Sequence, residues 1–136
     1  MAYLAKMQRD AAGLIVFEVA ATLAVTDIDR AKRFYEGKLG LTLSRGPQPG
    51  VLIYKVGSSR LIVYSSEFAG TNKATAATWM VEDVEGTVKM LKARGVAFEH
   101  YEFPGINLHG DVHEMGDSKA AWFKDPDGNI LAIVSE

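Results

Sequence analysis

Apolar and polar positions alternate along this chain in a pattern that occurs twice. Thr22-Leu23-Ala24-Val25-Thr26-Asp27-Ile28-Asp29 returns as Thr78-Trp79-Met80-Val81-Glu82-Asp83-Val84-Glu85, about 56 residues later. Each copy reads as an apolar strand, an Asp, an amphipathic helix, a Gly and further strands, the signature of an internal repeat. In the first helix Ile28, Ala31, Phe34 and Tyr35 share one face, with Arg30, Lys32, Arg33 and Glu36 on the polar side. In the second, Val84, Val88 and Leu91 follow i, i+4, i+7. Asp27 and Asp83 suit the N-cap, where a carboxylate accepts the free amide protons of the first turn. Gly40 and Gly95 suit the left-handed position after the last turn. Gly37 inside the first helix costs about 1 kcal/mol relative to Ala.

The strands that follow are set off by turn chemistry. Val51–Val56 and Leu61–Tyr64 flank Gly57-Ser58-Ser59, a hairpin signal. Ala120–Phe123 and Ile130–Val134 flank Asp125-Pro126-Asp127-Gly128-Asn129, where both aspartates are expected to shape the turn. Val96–Glu99 reads as a strand, and residues 104–118 as a long loop with at most a short strand in it. The predicted organisation is an N-terminal tail or short helix over residues 1–15 and one domain over 16–136. That domain divides into module one (about 16–66), a linker (67–75) and module two (about 76–135).

Composition narrows the function classes. A chain of 136 residues, 48% hydrophobic, is one domain with enough apolar content for its own core. The absence of cysteine excludes a disulfide scaffold, zinc fingers, iron–sulfur sites and a thiol nucleophile. A net charge of −2 gives no electrostatic case for nucleic acid. The apolar run from Gly13 to Val25 contains Glu18 and falls short of the ~20 residues a membrane helix needs. Lys6 and Arg9 precede it, yet Asp10 and Glu18 interrupt a signal-peptide pattern. A cytoplasmic protein is expected.

Three segments together resemble a known family: Val25-Thr-Asp-Ile-Asp-Arg-Ala-Lys-Arg-Phe-Tyr, Leu39-Gly-Leu, and Ala121-Trp-Phe-Lys-Asp-Pro-Asp-Gly-Asn-Ile-Leu. They look like the vicinal-oxygen-chelate superfamily, which includes glyoxalase I, extradiol dioxygenases, fosfomycin-resistance enzymes and bleomycin-binding proteins. The resemblance runs from about residue 19 to residue 135. It implies an α+β fold of two βαβββ modules in tandem, forming a curled mixed sheet, a half-barrel around a central cavity. It also implies a homodimer. Family enzymes hold a divalent metal in the cavity, which chelates two neighbouring substrate oxygens as a Lewis acid.

Carried over position by position, the family's ligand set meets residues without donor atoms. The first ligand lies seven residues before the capping Asp, which is Ala20 in module one and Ala76 in module two. The late Glu ligand lies four residues after the turn Gly, at Ala132. The remaining position falls at Ile62 or Val63. Alanine and aliphatic side chains coordinate no metal, so no metal and no other cofactor is expected. The densest group of other ligand types is His109-Gly-Asp-Val-His113-Glu114. A helix would bring that His pair together, but Gly110 and the Pro/Gly-rich surroundings argue for extended chain. There the two imidazoles lie over ~13 Å apart. His100 reads as a partly exposed strand-end residue. No Gly-x-Ser-x-Gly elbow surrounds any serine, and no catalytic residue is assigned.

Strand alternation assigns the cavity face. With positions 20, 76 and 132 facing inward, so do Thr22, Ala24, Thr78, Met80, Ile130 and Val134, while Leu23, Val25, Val81 and Ile133 pack under the helices. Tyr54, Tyr64, Phe68, Phe103 and Trp122 are candidate aromatic walls, and His113 is a candidate polar anchor arriving from a loop. The candidate ligand-binding set is Thr22, Tyr64, Thr78, Met80, Trp122 and His113. Such a floor fits a small organic ligand. The leading expectation is therefore a metal-free binding protein. The alternatives are a metal-dependent lyase or dioxygenase with displaced ligands, and a non-catalytic interaction module.

Overall fold

A computed structural model describes residues 13–46 and 48–135. The predicted N-terminal tail lies mostly outside these residues. Gly13–Val16 forms a short 3-10 turn.

Module one runs β1 (Ala21–Val25), helix α1 (Ile28–Lys38), β2 (Thr42–Leu43), β3 (Val51–Val56) and β4 (Ser59–Ser65). Module two runs β5 (Thr75–Met80), helix α2 (Val84–Ala93), β6 (Phe98–Glu99), β7 (Asn107–His109), β8 (Val112–Met115), β9 (Ser118–Lys124) and β10 (Ile130–Ser135). The first sheet has the order β1-β4-β3-β2 and the second β5-β10-β9-β8-β7, with β6 pairing β9 beyond the end of β8. In both sheets the first strand lies parallel to the last and the remaining pairs are antiparallel. The two halves are thus copies of one βαβββ plan in an α+β fold.

Both predicted helix caps are present. Asp27 accepts from the Arg30 amide at 3.1 Å and Asp83 from the Gly86 amide at 3.0 Å, each interaction stabilising its helix by about 1 kcal/mol. Helix α1 is regular only to Lys32 and continues as a π-helical segment, Arg33–Lys38. The Leu39 amide bonds back to the Phe34 carbonyl at 3.0 Å. This widening absorbs an extra residue, and Phe34 and Tyr35, adjacent in sequence, are both buried. Helix α2 buries Val84, Val88 and Leu91 as its spacing predicts, and burial of each such side chain stabilises the fold by about 1.5–3 kcal/mol.

One core runs under both helices and joins Leu23, Val25, Tyr35, Tyr54 and Val63 of module one to Val84, Leu91, Phe123, Leu131 and Ile133 of module two. Tyr54 is a correction to the expected cavity wall. It is fully buried in this core, paired across the sheet with Leu61 and Leu43. Its neighbours Ile53 and Lys55 take the other face, and its hydroxyl donates to Glu36 at 2.9 Å.

The segment 104–118 is also corrected. It holds two strands, β7 and β8, which pair as a hairpin around Gly110 and Asp111. Gly110 supplies the positive φ of that turn, +62°.

The Asp125–Asn129 turn joins the modules. Asp125 is 5% exposed. One carboxylate oxygen accepts the Asp127 and Asn129 amides, each at 2.9 Å. The other accepts the Tyr35 hydroxyl at 2.7 Å and the Asn129 side-chain amide at 2.8 Å. Asn129 also donates to the Ala24 carbonyl. Asp127 accepts from the Thr26 hydroxyl at 2.7 Å and from Arg30 at 2.9 Å. Gly70 of the linker presses on this turn: a Cβ there would stand 2.0 Å from the Asp127 carbonyl oxygen, and its φ is +72°. Only glycine fits that approach.

Candidate functional site

The faces of the two sheets turned away from the helices carry Thr22, Ala24, Tyr64, Thr78 and Trp122. Cross-strand register places Thr22 beside Ile62 and Ala24 beside Tyr64 in the first sheet. In the second, Thr78 lies beside Ala132, and Ala132 beside Trp122. Thr22 and Thr78 stand at the same distance before their capping aspartates. Their parallel partners, Ile62 and Ala132, are therefore equivalent. This fixes the position left open between Ile62 and Val63: Ile62 is on the open face, and Val63 is in the core at 0% exposure. The four positions of the implied ligand set are thus Ala20, Ile62, Ala76 and Ala132, two in each module and related by the repeat.

Three recesses lie in this part of the molecule, and of the four positions Ala20 and Ile62 line one of them. Thr78 and Met80 line a cleft of about 620 Å³ with Val19, Ser58, Ser59 and Arg60. Ala20, Ser44, Arg45, Ile53, Arg60 and Ile62 line a second, of about 390 Å³, on the open face of module one. A third recess, of about 230 Å³, is walled by Tyr101, Phe103 and Trp122, with Lys73, Thr75 and Ile130. Trp122 is fixed by an Nε1–H bond to the Thr75 hydroxyl at 3.1 Å. Tyr101 meets it edge-on at 5.4 Å between ring centroids, and Phe103 lies at 6.2 Å.

Behind Trp122 is His113, fully buried, its ring edge-on to the indole at 4.8 Å. It arrives on strand β8, opposite Ala120, and not from a loop as expected. Its Nε2 accepts the Tyr101 amide proton at 2.9 Å. That bond assigns the proton of the neutral ring to Nδ1, which has no partner among the described residues, nor has the buried Tyr101 hydroxyl. Unpaired buried polar atoms of this kind mark places where a ligand or water finishes the network.

The six candidate residues are therefore divided. Thr78 and Met80 meet in the large cleft, and Trp122 and His113 pack together at the aromatic recess. Thr22 and Tyr64 are exposed on the first sheet and line none of the three recesses. Phe68 is 69% exposed in the linker and lines none of them either. Phe103 is a wall as expected. Tyr101, Lys73 and Arg60 were missed by the sequence reading. Tyr101 shares the parity of Phe103, but the strand before it, Phe98–Glu99, is only two residues long.

The histidine cluster comes apart. His109 and His113 are on opposite strands of the β7–β8 hairpin. His109 is exposed and sits 3.4 Å from Glu114, while His113 points into the fold. His100, half-exposed, pairs with Asp111 at 2.7 Å, and Lys92 holds the other oxygen of that carboxylate at 2.7 Å. The Lys92 hydrogen bond, followed by that of His100, holds Asp111 below the usual carboxylate range. Among the described residues no three His, Asp or Glu side chains converge on one point, and no helix is long and apolar enough to cross a membrane.

Comparison with known proteins agrees with this architecture. Solved structures of the same fold include lactoylglutathione lyase from Agrobacterium tumefaciens (17% identity, TM-score 0.65, 88% of this chain and 93% of that one). A glyoxalase family protein from Enterococcus faecalis matches at 22% identity and TM-score 0.65, over 88% of this chain and 98% of that one. A glyoxalase/bleomycin resistance protein from Catenulispora acidiphila matches at 22% identity and TM-score 0.64, over 88% and 97%. At these identities the likeness shows the fold alone. No curated protein matches the sequence. The sequence profile of one superfamily matches residues 17–133. With that match across the repeat, the chain belongs to the glyoxalase/bleomycin resistance protein/dioxygenase superfamily.

Proposed function

We propose that this protein binds a small organic molecule on its open face without a resident metal. One observation carries the reading. Ala20, Ile62, Ala76 and Ala132 offer no donor atom at the four repeat-related positions, and an aromatic recess with a buried histidine lies beside them. The residues present do not fit a divalent ion, because methyl and alkyl groups cannot replace its hydration shell. They do fit an apolar or aromatic ligand, which draws its affinity from contact area and its orientation from a few polar groups. Tyr101, Phe103 and Trp122 supply the area. Lys73 places one cation at the rim, which favours a ligand carrying an acceptor or a negative charge. Exposed Val19 and Met80 on the neighbouring cleft support pairing with a second copy, which the family resemblance implies.

The test combines elemental analysis of purified protein with tryptophan fluorescence titrations against a panel of aromatic acids. A metal-to-protein ratio near zero is expected, with saturable quenching that Trp122→Ala abolishes. Stoichiometric metal, or quenching unchanged in Trp122→Ala, overturns the proposal.

A further inference from the structure

A fourth cavity lies under the helices and between the modules, and it shares Val56 and Trp79 with the large cleft. Leu39, Leu41 and Val56 of module one and Trp79, Val81, Thr87, Met90, Leu91, Phe123 and Ile133 of module two enclose about 220 Å³. None of these residues lines the aromatic recess. Trp79 and Phe123 form one wall, stacked at 6.4 Å. Leu91, Phe123 and Ile133 at its base are buried, and Met90 at its mouth is 43% exposed. Thr87 and the indole N–H of Trp79 are the polar side-chain groups in the lining, and the Thr87 hydroxyl already donates to the Asp83 carbonyl at 2.7 Å. Among the described residues no charged group lines the cavity.

We propose that this seam cavity is a binding site for a small neutral apolar molecule, of the size of a substituted benzene ring or a fused bicycle. Size supports it: an apolar cavity of about 150 Å³ takes benzene, and this one, open at its Met90 mouth, has about 220 Å³. Chemistry supports it too. Water needs two to four polar partners to be held in a cavity, and the lining side chains offer little beyond the Thr87 hydroxyl and the Trp79 indole N–H. A charged ligand would lose its hydration with nothing in return. The mouth residue suits the role, since an unbranched thioether side chain rearranges at low cost around an entering group. Because the lining comes from both modules, an occupant touches both at once and stabilises the folded chain by linkage.

The measurement is a methyl-resolved NMR titration of the full chain with toluene, with benzoate as the charged control of similar shape. Saturable shifts are expected at the methyls of Leu41, Val81, Met90 and Leu91 with toluene and not with benzoate. Val81→Phe, which fills the cavity, is expected to remove them. Met90→Trp, at the exposed mouth where folding is not at stake, is expected to weaken them. Absence of saturable toluene shifts in the folded wild-type chain overturns the proposal and leaves a packing gap. Shifts that persist unchanged in both variants also overturn it. The aromatic acids of the open-face test read Trp122, which does not line this cavity, so either site can fail without the other.

Discussion

Modules one and two share a plan and differ in what they add to it. Each has a parallel first and last strand, an aspartate-capped helix and a buried face beneath that helix. Their terminal hairpins do not match. In module one, β3 and β4 are joined by the short Gly57-Ser58 turn, beside which Ser59 makes a local bond to the Val56 carbonyl. In module two, β9 and β10 are joined by Asp125–Asn129, which bonds to Thr26, Arg30, Tyr35 and the Ala24 carbonyl of its sibling. Module two also extends its sheet by the β7–β8 hairpin, and with it places His113 behind Trp122. The shared part is what folding demands of either copy. The unshared part joins the copies and furnishes one of them with a site.

The strongest way to break this comparison is at the two turns. Asp125→Ala removes four hydrogen bonds and leaves the buried Tyr35 hydroxyl without its acceptor, so a loss of about 3–5 kcal/mol is expected. Ser58→Ala, at the matching turn, is expected to change stability by no more than about 0.5 kcal/mol. Urea denaturation of both variants measures the contrast, and equal effects would mean that the turns are interchangeable.

A smaller effect is expected from Tyr35→Phe, about 2 kcal/mol near neutral pH, since one bond to a charged group is lost. Its pH dependence has a definite sign. Burial, and then the Asp125 carboxylate beside it, push the Tyr35 hydroxyl far above the ordinary tyrosine range. The unfolded tyrosine ionises near pH 10. The stability contributed by the neutral phenol is therefore complete below about pH 10 and is lost as pH rises beyond it. Denaturation midpoints should show the wild-type advantage over Tyr35→Phe shrinking above that pH.

The smallest effect sharpens the second difference, the added hairpin. Asp111 in its turn is tied to Lys92 and His100. Asp111→Asn is expected to cost less than about 1 kcal/mol near neutral pH, because these partners are half-exposed. The depressed carboxyl contributes stability above about pH 4 that disappears as pH falls through its folded-state value. Wild type and variant should converge in acid, as followed by urea midpoints on the acid side of neutrality.

Much of the frame could be read from the sequence, because its signals are local. Asp27 and Asp83 announce their helices, and strict alternation separates Leu23 and Val25 from Thr22 and Ala24. The π-helical widening of α1 was not legible, since it answers the joint burial of Phe34 and Tyr35 under a sheet that forms from distant chain. Tyr54 was misplaced for a related reason: both faces of β3 are apolar, so alternation alone does not say which is inside. His109 and His113 were set on one extended segment because Gly110 was read as breaking a helix and not as turning a hairpin. Within the site, Trp122 was legible as an aromatic whose polar tip needs a partner, and its Nε1–H bonds the Thr75 hydroxyl. Tyr101 follows a strand only two residues long, too short to carry a periodic signal.

The four small side chains at Ala20, Ile62, Ala76 and Ala132 have one more consequence, which concerns symmetry. They are related pairwise by the repeat, Ala20 to Ala76 and Ile62 to Ala132, so exchanging the modules changes one apolar side chain for another and introduces no polar group. A ligand in contact with these positions would find little in them to tell one module from the other. The aromatic wall stands on one side only and supplies that distinction. In the proposed reading, the direction a bound molecule faces is decided by what the second copy acquired after the halves ceased to be alike.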